Sequence, residues 1–479
     1  MLAFRLACLS LAAVSGAAFA QSARTSQHID AVETGLGPAV IITERGREHR
    51  DIRAEMQRLH IPAVSVAIIH NGELEWAKGY GNQSDGGAPV TVNTLFQAAS
   101  ISKSLTAMAA LKLVQQQKLS LDSPIQTELR SWTLPETSLT LQHPVTLREL
   151  LSHTAGISVH GFDGYAAGKP VPNLRQVLSG TTPANSPPIV VEAVPGEKFS
   201  YSGGGYTIVQ QIMIDQTGKP FASIMKSLVL DPLKMKSSSF EQPVGSKSRK
   251  AVAMPADDRG KPIPGGPYTY PELAPAGLWT TPSDLARWVI EMQRSLMGRA
   301  NHVLSPETTR TMLTAIRHGY GLGVEVHTAS GKAAFSHTGS NEGYQCIYFA
   351  YENGDGAIIM TNGDNGSSLF AELLSSIAQE YGWPDYIPEQ RTLVSVPLGD
   401  LAQFAGRFKI NHGPPIEIKL DTTSLQLLIP GYPSRELLTS SSHSFFLTDT
   451  TMQLNFDGPD RGTVIFGGKD TFERVKEEH

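Results

Sequence analysis

The chain has 479 residues, 40% of them hydrophobic and 18% charged, an ordinary globular composition that supports a large core. Its formal net charge is −5, with both signs mixed along the sequence. That pattern excludes a basic polyanion-binding protein, so nucleic acid is not an expected partner.

The N-terminus reads as a targeting segment. Arg5 precedes an apolar run from Leu6 to Val14, and Ala18-Phe19-Ala20 forms an A-x-A cleavage signal. A signal peptide over residues 1–20, cleaved near Ala20, predicts a mature protein in the periplasm or outside the cell. No later stretch has about 18 apolar residues in succession, so no transmembrane segment is expected. Of the two cysteines, Cys8 lies in the signal and Cys346 remains, which leaves no intramolecular disulfide. The sequence has no H-E-x-x-H, no C-x-x-C and no tight group of histidines with carboxylates. Neither a metal nor a cofactor is therefore expected.

Residues 62–81 predict a hairpin. Val64, Val66 and Ile68 alternate, Asn71-Gly72 supplies the turn, and Leu74 to Tyr80 returns. A helix is expected over Ser100–Gln117, with Leu105, Met108, Leu111 and Val114 on a broad apolar side. Further helices are expected at Leu147–Leu151, Gly205–Thr217, Phe221–Val229 and Pro282–Leu296, the last opened by Pro282 and Ser283. Strands return at Tyr344–Tyr351 and Ala357–Thr361 around the turn Glu352-Asn353-Gly354-Asp355-Gly356. Strands thus open and close this region and helices fill its middle. The expected class is α+β, an antiparallel sheet flanked by helices, with residues 21–383 as one domain. Residues 384–396, with Pro384 and Pro388, read as a linker. Residues 397–479 alternate short apolar runs with turn signals and predict a small, barrel-like all-β domain.

Ser100-Ile101-Ser102-Lys103 is an S-x-x-K sequence, and on a helix i and i+3 share a face. A serine hydroxyl is a weak nucleophile until a neighbouring base or cation activates it. The N–H of Ser100, at a helix start, is a candidate oxyanion donor. A second copy, Ser223-Ile224-Met225-Lys226, shows that the motif alone is weak. The first differs in its apolar approach, Leu95 to Ala99, and in two companions. Tyr201-Ser202-Gly203 lies in a Gly-rich turn before a helix, and His337-Thr338-Gly339-Ser340 lies where a strand is expected to end. A tyrosine beside a Lys/Ser pair relays protons if its pKa falls from about 10. Gly339 would let a substrate backbone approach, and the Ser340 N–H is the candidate second oxyanion donor. Taken singly, Tyr201 reads as a packed turn residue and His337 as a surface histidine; their order in the chain changes that reading.

The ordered set Ser100-x-x-Lys103, Tyr201-Ser202-Gly203 and His337-Thr338-Gly339 resembles the class C β-lactamase, penicillin-binding protein and related esterase superfamily. The segments Ile61 to Ala67, Leu150-Leu151-Ser152-His153-Thr154-Ala155-Gly156-Ile157 and Pro275 to Ala286 share the resemblance, which covers residues 45–380. It implies a β-lactamase/transpeptidase-like fold with an all-helical lobe, and acylation of Ser100 followed by hydrolysis. Residues from Leu401 to Phe408 resemble, more loosely, the β domains appended to some D-aminopeptidase and esterase members. Two positions depart from the pattern. Gly203 stands where the superfamily usually has asparagine, and His337 stands where it usually has lysine. The resemblance therefore implies a loss of a substrate-amide partner and of a fixed cation for a substrate carboxylate. An exposed histidine would regain charge only as pH falls through about 6.5.

The expected function is a serine hydrolase with Ser100, Lys103 and Tyr201 catalytic and His337, Gly339 and Ser340 binding substrate. The expected substrate is a small-molecule ester, small amide or D-amino-acid peptide. The alternatives are a β-lactamase or D,D-carboxypeptidase, and a non-catalytic penicillin-binding-like sensor. Oligomeric state is left open by the sequence.

Overall fold

A computed structural model describes residues 23–475 except 247, 300–301, 329–330, 412–413, 431–433 and 467. The signal peptide expected at residues 1–20 lies outside the described residues. The chain forms two compact units: Met56–Phe370, and the described residues up to Glu55 together with those from Ala371 onward.

The first unit mixes helix and sheet. Its sheet has six strands: β2 (Ala63–His70), β3 (Glu73–Gly81), β6 (Glu325–His327), β7 (Ala334–Asn341), β8 (Tyr344–Tyr351) and β9 (Gly356–Thr361). Their order is β3-β2-β9-β8-β7-β6, and every neighbouring pair is antiparallel. The β2–β3 hairpin turns at Asn71 and Gly72, both at positive φ, as the Asn-Gly signal predicts. A two-stranded ladder, β4 (Phe96–Gln97) with β5 (Trp279–Thr280), fixes the approach to Ser100.

Helix α1 (Ser102–Gln115) is buried on every side from Ser102 to Leu111. Its apolar residues join the main core, and its hydroxyls are all used. Ser102 Oγ accepts from Leu278 N at 3.0 Å, Thr106 Oγ1 donates to Ala274 O at 3.0 Å, and Ser104 Oγ donates to Gly323 O at 2.7 Å. Buried polar groups need such partners, and these three tie the helix to the loops around it. Helix α2 (Leu147–Leu151) opens on a capping box of Thr146 and Glu149. Helix α3 (Gly203–Thr217) is capped by Ser202 and ends at Gly218 in the left-handed region. The short α4 (Leu273–Ala276) packs on α1 and α3. Helix α5 (Pro282–Leu296) starts with Thr281 as cap and Pro282 in its first turn, and packs on β2, β3 and β9.

The second unit holds a parallel pair and a closed barrel. Strand β1 (Val40–Ile42) pairs with β10 (Glu389–Arg391), which lies in the Pro-bearing stretch 384–396. Eight antiparallel strands then close on themselves, from β11 (Gly406–Ile410) to β18 (Lys469–Arg474), which pair with each other. Closure leaves no free sheet edge. Between them run β12 (Ile416–Leu420), β13 (Leu425–Leu428), β14 (Arg435–Ser441), β15 (Ser444–Phe446), β16 (Gln453–Gly458) and β17 (Arg461–Ile465). Inward positions such as Ile416, Ile418, Leu425, Leu427, Leu454 and Phe456 alternate with wetter ones and build a core around Phe404, Phe408 and Phe472. The fully buried Phe404 packs on Phe445 and Phe456, with ring centroids 5.1 and 4.7 Å away. Phe404→Ala is expected to cost about 3–5 kcal/mol by leaving a cavity. Urea unfolding of the full chain checks this; an unchanged midpoint would contradict the packing.

Candidate active site

The segment before Ser100 is held from two sides. Ala98 N donates to Leu278 O at 2.8 Å, and the buried Cys346 thiol donates to Ala98 O at 3.1 Å. Ala99 adopts φ +46, a conformation that costs free energy for a residue with a side chain. The turn Ala99–Ile101 is a 3-10 helix, and the α-helix begins at Ser102 rather than at Ser100. The expected helix start is thus corrected by two residues, the first turn being 3-10.

One turn on, Lys103 Nζ donates to Ser100 Oγ at 2.9 Å and to Pro275 O at 3.2 Å. Both partners are uncharged. Lys103 is only 2% exposed, and burial lowers its ammonium to about 7 from the ordinary 10.5. The second S-x-x-K is a surface feature. Lys226 is exposed and pairs with Asp231, and Ser223 is exposed.

Tyr201 completes the group. Its ring centroid lies 4.8 Å from Lys103 Nζ, and the Ser100 side chain acts on its hydroxyl, pulling the phenol pKa down. Burial raises its pKa above the usual phenol value, and Ser100 only partly opposes this. The lowered pKa allowed by the sequence reading is therefore reversed: Tyr201 is a hydroxyl, not a phenolate. Next to it, Ser202 Oγ accepts from Gly205 N at 3.0 Å and donates to Ser158 O at 2.7 Å, which sets the start of α3. At Gly203 a Cβ would lie 3.0 Å from Phe162 and 3.2 Å from His160 O. A side chain there would need Phe162 to give way slightly.

The third motif lies within β7, not at a strand end. His337 is 2% exposed. Its Nδ1 lies 2.6 Å from Thr338 O, which can only accept, so Nδ1 carries the proton. Nε2, 2.9 Å away, then accepts from the Tyr320 hydroxyl. Burial, with Lys103 nearby, lowers the imidazole to about 3. His337 is thus neither a surface histidine nor a group that gains charge between pH 5.5 and 8. Gly339 also differs from the expectation. A Cβ there would lie 2.2 Å from Ala98 O and 2.6 Å from Cys346 Sγ, so the missing side chain admits the Ser100 segment rather than a substrate. Ser340 is exposed and its Oγ accepts from Gln345 Nε2 at 2.8 Å. β6 pairs with β7 only over Ala334–Ser336, so His337–Asn341 lie beyond that partner strand. The structure thus brings Ser100, Lys103 and Tyr201 together, Lys103 hydrogen-bonded to Ser100 and lying over the Tyr201 ring, with His337 6.3 Å from Tyr201 ring to ring.

The family model described as Beta-lactamase matches residues 49–381. The chain belongs to the Beta-lactamase family. The resemblance carried by its three motifs is upheld at that level. Among curated relatives, this Beta-lactamase-family chain is 26% identical over 252 residues to a teichoic acid D-alanine hydrolase of Staphylococcus aureus, covering 52% of this chain and 57% of that protein. It is 25% identical over 242 residues to protein flp of Staphylococcus aureus (strain N315), covering 50% of this chain and 47% of that one. The chain spans about half the length of the curated relatives it matches. Among solved structures, the octameric penicillin-binding protein homologue from Pyrococcus abyssi superposes with a TM-score of 0.62 and 23% identity. That match covers 88% of this chain and 98% of that one, and it shows a shared fold.

Two residues at this Beta-lactamase-family site carry no signal in the sequence. Tyr320 sits in a Gly-Tyr-Gly-Leu-Gly loop that reads only as a turn. His153 lies in a segment that shares the resemblance, yet its spacing to the other motifs carries no signal for a role. Its ring stacks 4.2 Å from that of Tyr201. Among described residues, no helix is long and apolar enough to cross a membrane, and no cluster of three or more His, Cys, Asp or Glu could hold a metal.

Gly339→Ala is expected to push Ala98, and with it Ser100, out of place. Overpacking of this kind costs about 1–3 kcal/mol. Calorimetry should show a lower Tm. A variant with unchanged Tm and unchanged turnover would contradict the close approach of β7 to Ala98.

Proposed function

We propose that the chain is a serine hydrolase acting through an acyl-enzyme on Ser100, with esters or small amides of D-amino acids as substrates. The observation that carries this reading is the buried Lys103 beside Ser100 Oγ. A lysine held near 7 is substantially neutral at physiological pH and can take the Ser100 proton. Two pKa directions divide the work. Burial favours the uncharged form of both groups, which makes Lys103 a base and keeps Tyr201 a proton donor and acceptor. In the proposed step Ser100 Oγ attacks the carbonyl carbon as its proton passes to Lys103. The alcohol or amine leaves with a proton handed on through the Lys103–Tyr201 pair. Water then hydrolyses the ester on Ser100 by the same path in reverse. The N–H groups of Ser100 and Ser340 are the proposed donors to the oxyanion.

The substrate class draws on two supports. One S. aureus relative is named as a teichoic acid D-alanine hydrolase, and a D-alanyl ester fits a Ser100 acyl-enzyme. His337, buried and neutral, provides no cation for a substrate carboxylate, and Gly203 provides no side chain for a substrate amide. Both features disfavour penicillins and C-terminal D-alanyl peptides. The expected N-terminal signal supports a reaction outside the cytoplasm.

The test is a panel of D-alanyl and other p-nitrophenyl esters, D-amino-acid p-nitroanilides and nitrocefin. Ester hydrolysis should exceed nitrocefin turnover, and Ser100→Ala should abolish it with the circular dichroism unchanged. The opposite order of substrates would indicate a β-lactamase, and no turnover at all a binding protein.

The pH dependence follows from Lys103. The deprotonated form is active, so kcat/KM should rise with pH through about 7 and level off above it. Lys103→Ala should lower kcat/KM by about 10²-fold to 10⁴-fold, the range for general acid–base groups, and remove that limb. A profile flat from pH 5.5 to 8.5, about 1.5 units either side of that value, would contradict Lys103 as the base.

A further inference from the structure

His153 contacts Tyr201 and both of its chain neighbours. Its main-chain oxygen accepts from Ser200 N at 2.7 Å. Its Nδ1 accepts from Ser202 N at 3.0 Å. Its ring lies against that of Tyr201, centroids 4.2 Å apart and planes 35° from parallel. We infer that His153 is a positioning residue, gripping the backbone on both sides of Tyr201 and its ring, so that the Tyr201 hydroxyl stays on Ser100. The inference rests on the reading of Tyr201 as a proton relay.

The choice of histidine has a physical reason. A backbone N–H can only donate, so Nδ1 must be unprotonated and Nε2 must carry the hydrogen. That Nε2 is buried and has no hydrogen-bond partner. An unsatisfied buried donor is costly, and an apolar ring would avoid the cost. What the imidazole supplies that an apolar ring cannot is the Nδ1 acceptor at Ser202 N. Burial, with Lys103 the leading charged neighbour, holds the ring neutral, so Nδ1 stays available. The rest of the residue is equally fixed. Its backbone sits at φ +58, and Tyr320 and Tyr206 enclose the ring at 4.9 and 5.4 Å.

Two variants separate the acceptor from the ring. His153→Phe keeps a ring and removes the acceptor. His153→Asn removes the ring but offers Oδ1 near the position of Nδ1, and asparagine tolerates positive φ. Both are made in the wild-type chain and in Tyr201→Phe, and kcat and KM are measured on one p-nitrophenyl ester alongside Tm. With a small displacement of a reacting group costing about 10²-fold, His153→Phe should lower kcat by about 10-fold to 100-fold and leave KM within about 3-fold. His153→Asn should recover most of that loss. In the Tyr201→Phe background His153→Phe should cost less than about 3-fold more, because the group it positions is already gone. A full additional loss in that background overturns the inference. So does a folded His153→Asn with kcat as low as His153→Phe. If His153→Phe does not fold, His153→Asn decides alone, a retained kcat supporting the acceptor role and a 100-fold loss overturning it. A Tyr201→Phe variant at full rate is a different failure, since it removes the relay reading itself.

Discussion

A lysine with its ammonium out of water has few places to be in a folded chain. Lys103 is placed where its hydrogen bonds go to a hydroxyl and a carbonyl, neither able to neutralise a charge. The drop from 10.5 to about 7 corresponds to roughly 5 kcal/mol of differential stabilisation, at about 1.4 kcal/mol for each pKa unit. A carboxylate partner would have cancelled that shift and left a permanent cation. The surface copy of the motif shows the contrast. Lys226 finds Asp231 in solvent, and its neighbour Ser223 gains no base.

Keeping Lys103 dry beside Ser100 requires the surroundings to close tightly. Helix α1 is enclosed on all sides, which is why its three hydroxyls each bond to main chain or loop. Strand β7 meets the Ser100 segment so closely that position 339 has no room for a methyl group. On the third side, Tyr201, Tyr206, Tyr320, His153 and His337 form an aromatic and imidazole wall. Both imidazoles in that wall are held neutral by burial next to Lys103. A charged histidine there would repel the ammonium and lower its pKa further, so the wall supplies dryness without a competing charge.

Much of this was legible in the sequence, and the reasons differ by element. Asn71-Gly72 between alternating apolar runs marks a hairpin because the turn demands positive φ. Helix α5 was legible from both ends, through Pro282 and its apolar period. The Ser100 motif could be told from Ser223 because the residues before it are apolar and two further motifs follow. Properties set by burial across long sequence separations were not legible. The neutral state of His337 depends on its burial and on Lys103, and the role of Gly339 depends on Ala98 and Cys346. Ala99 adopts a positive φ that alanine does not advertise. The pairing of Val40–Ile42 with Glu389–Arg391 joins three-residue strands far apart in the chain, and strands that short leave no period to read.

The central claim is that Ser100 carries the acyl group, and intact-protein mass spectrometry tests it most directly. The full-length protein is mixed with an excess of an activated p-nitrophenyl ester and quenched in acid within the first turnovers. The account predicts a mass increase equal to one acyl group, located by digestion on the peptide bearing Ser100. The adduct should be absent in Ser100→Ala and persist longer in Lys103→Ala, where hydrolysis of the acyl-enzyme lacks its base. An adduct on any other residue, or turnover of the ester by Ser100→Ala at the wild-type rate, would contradict it.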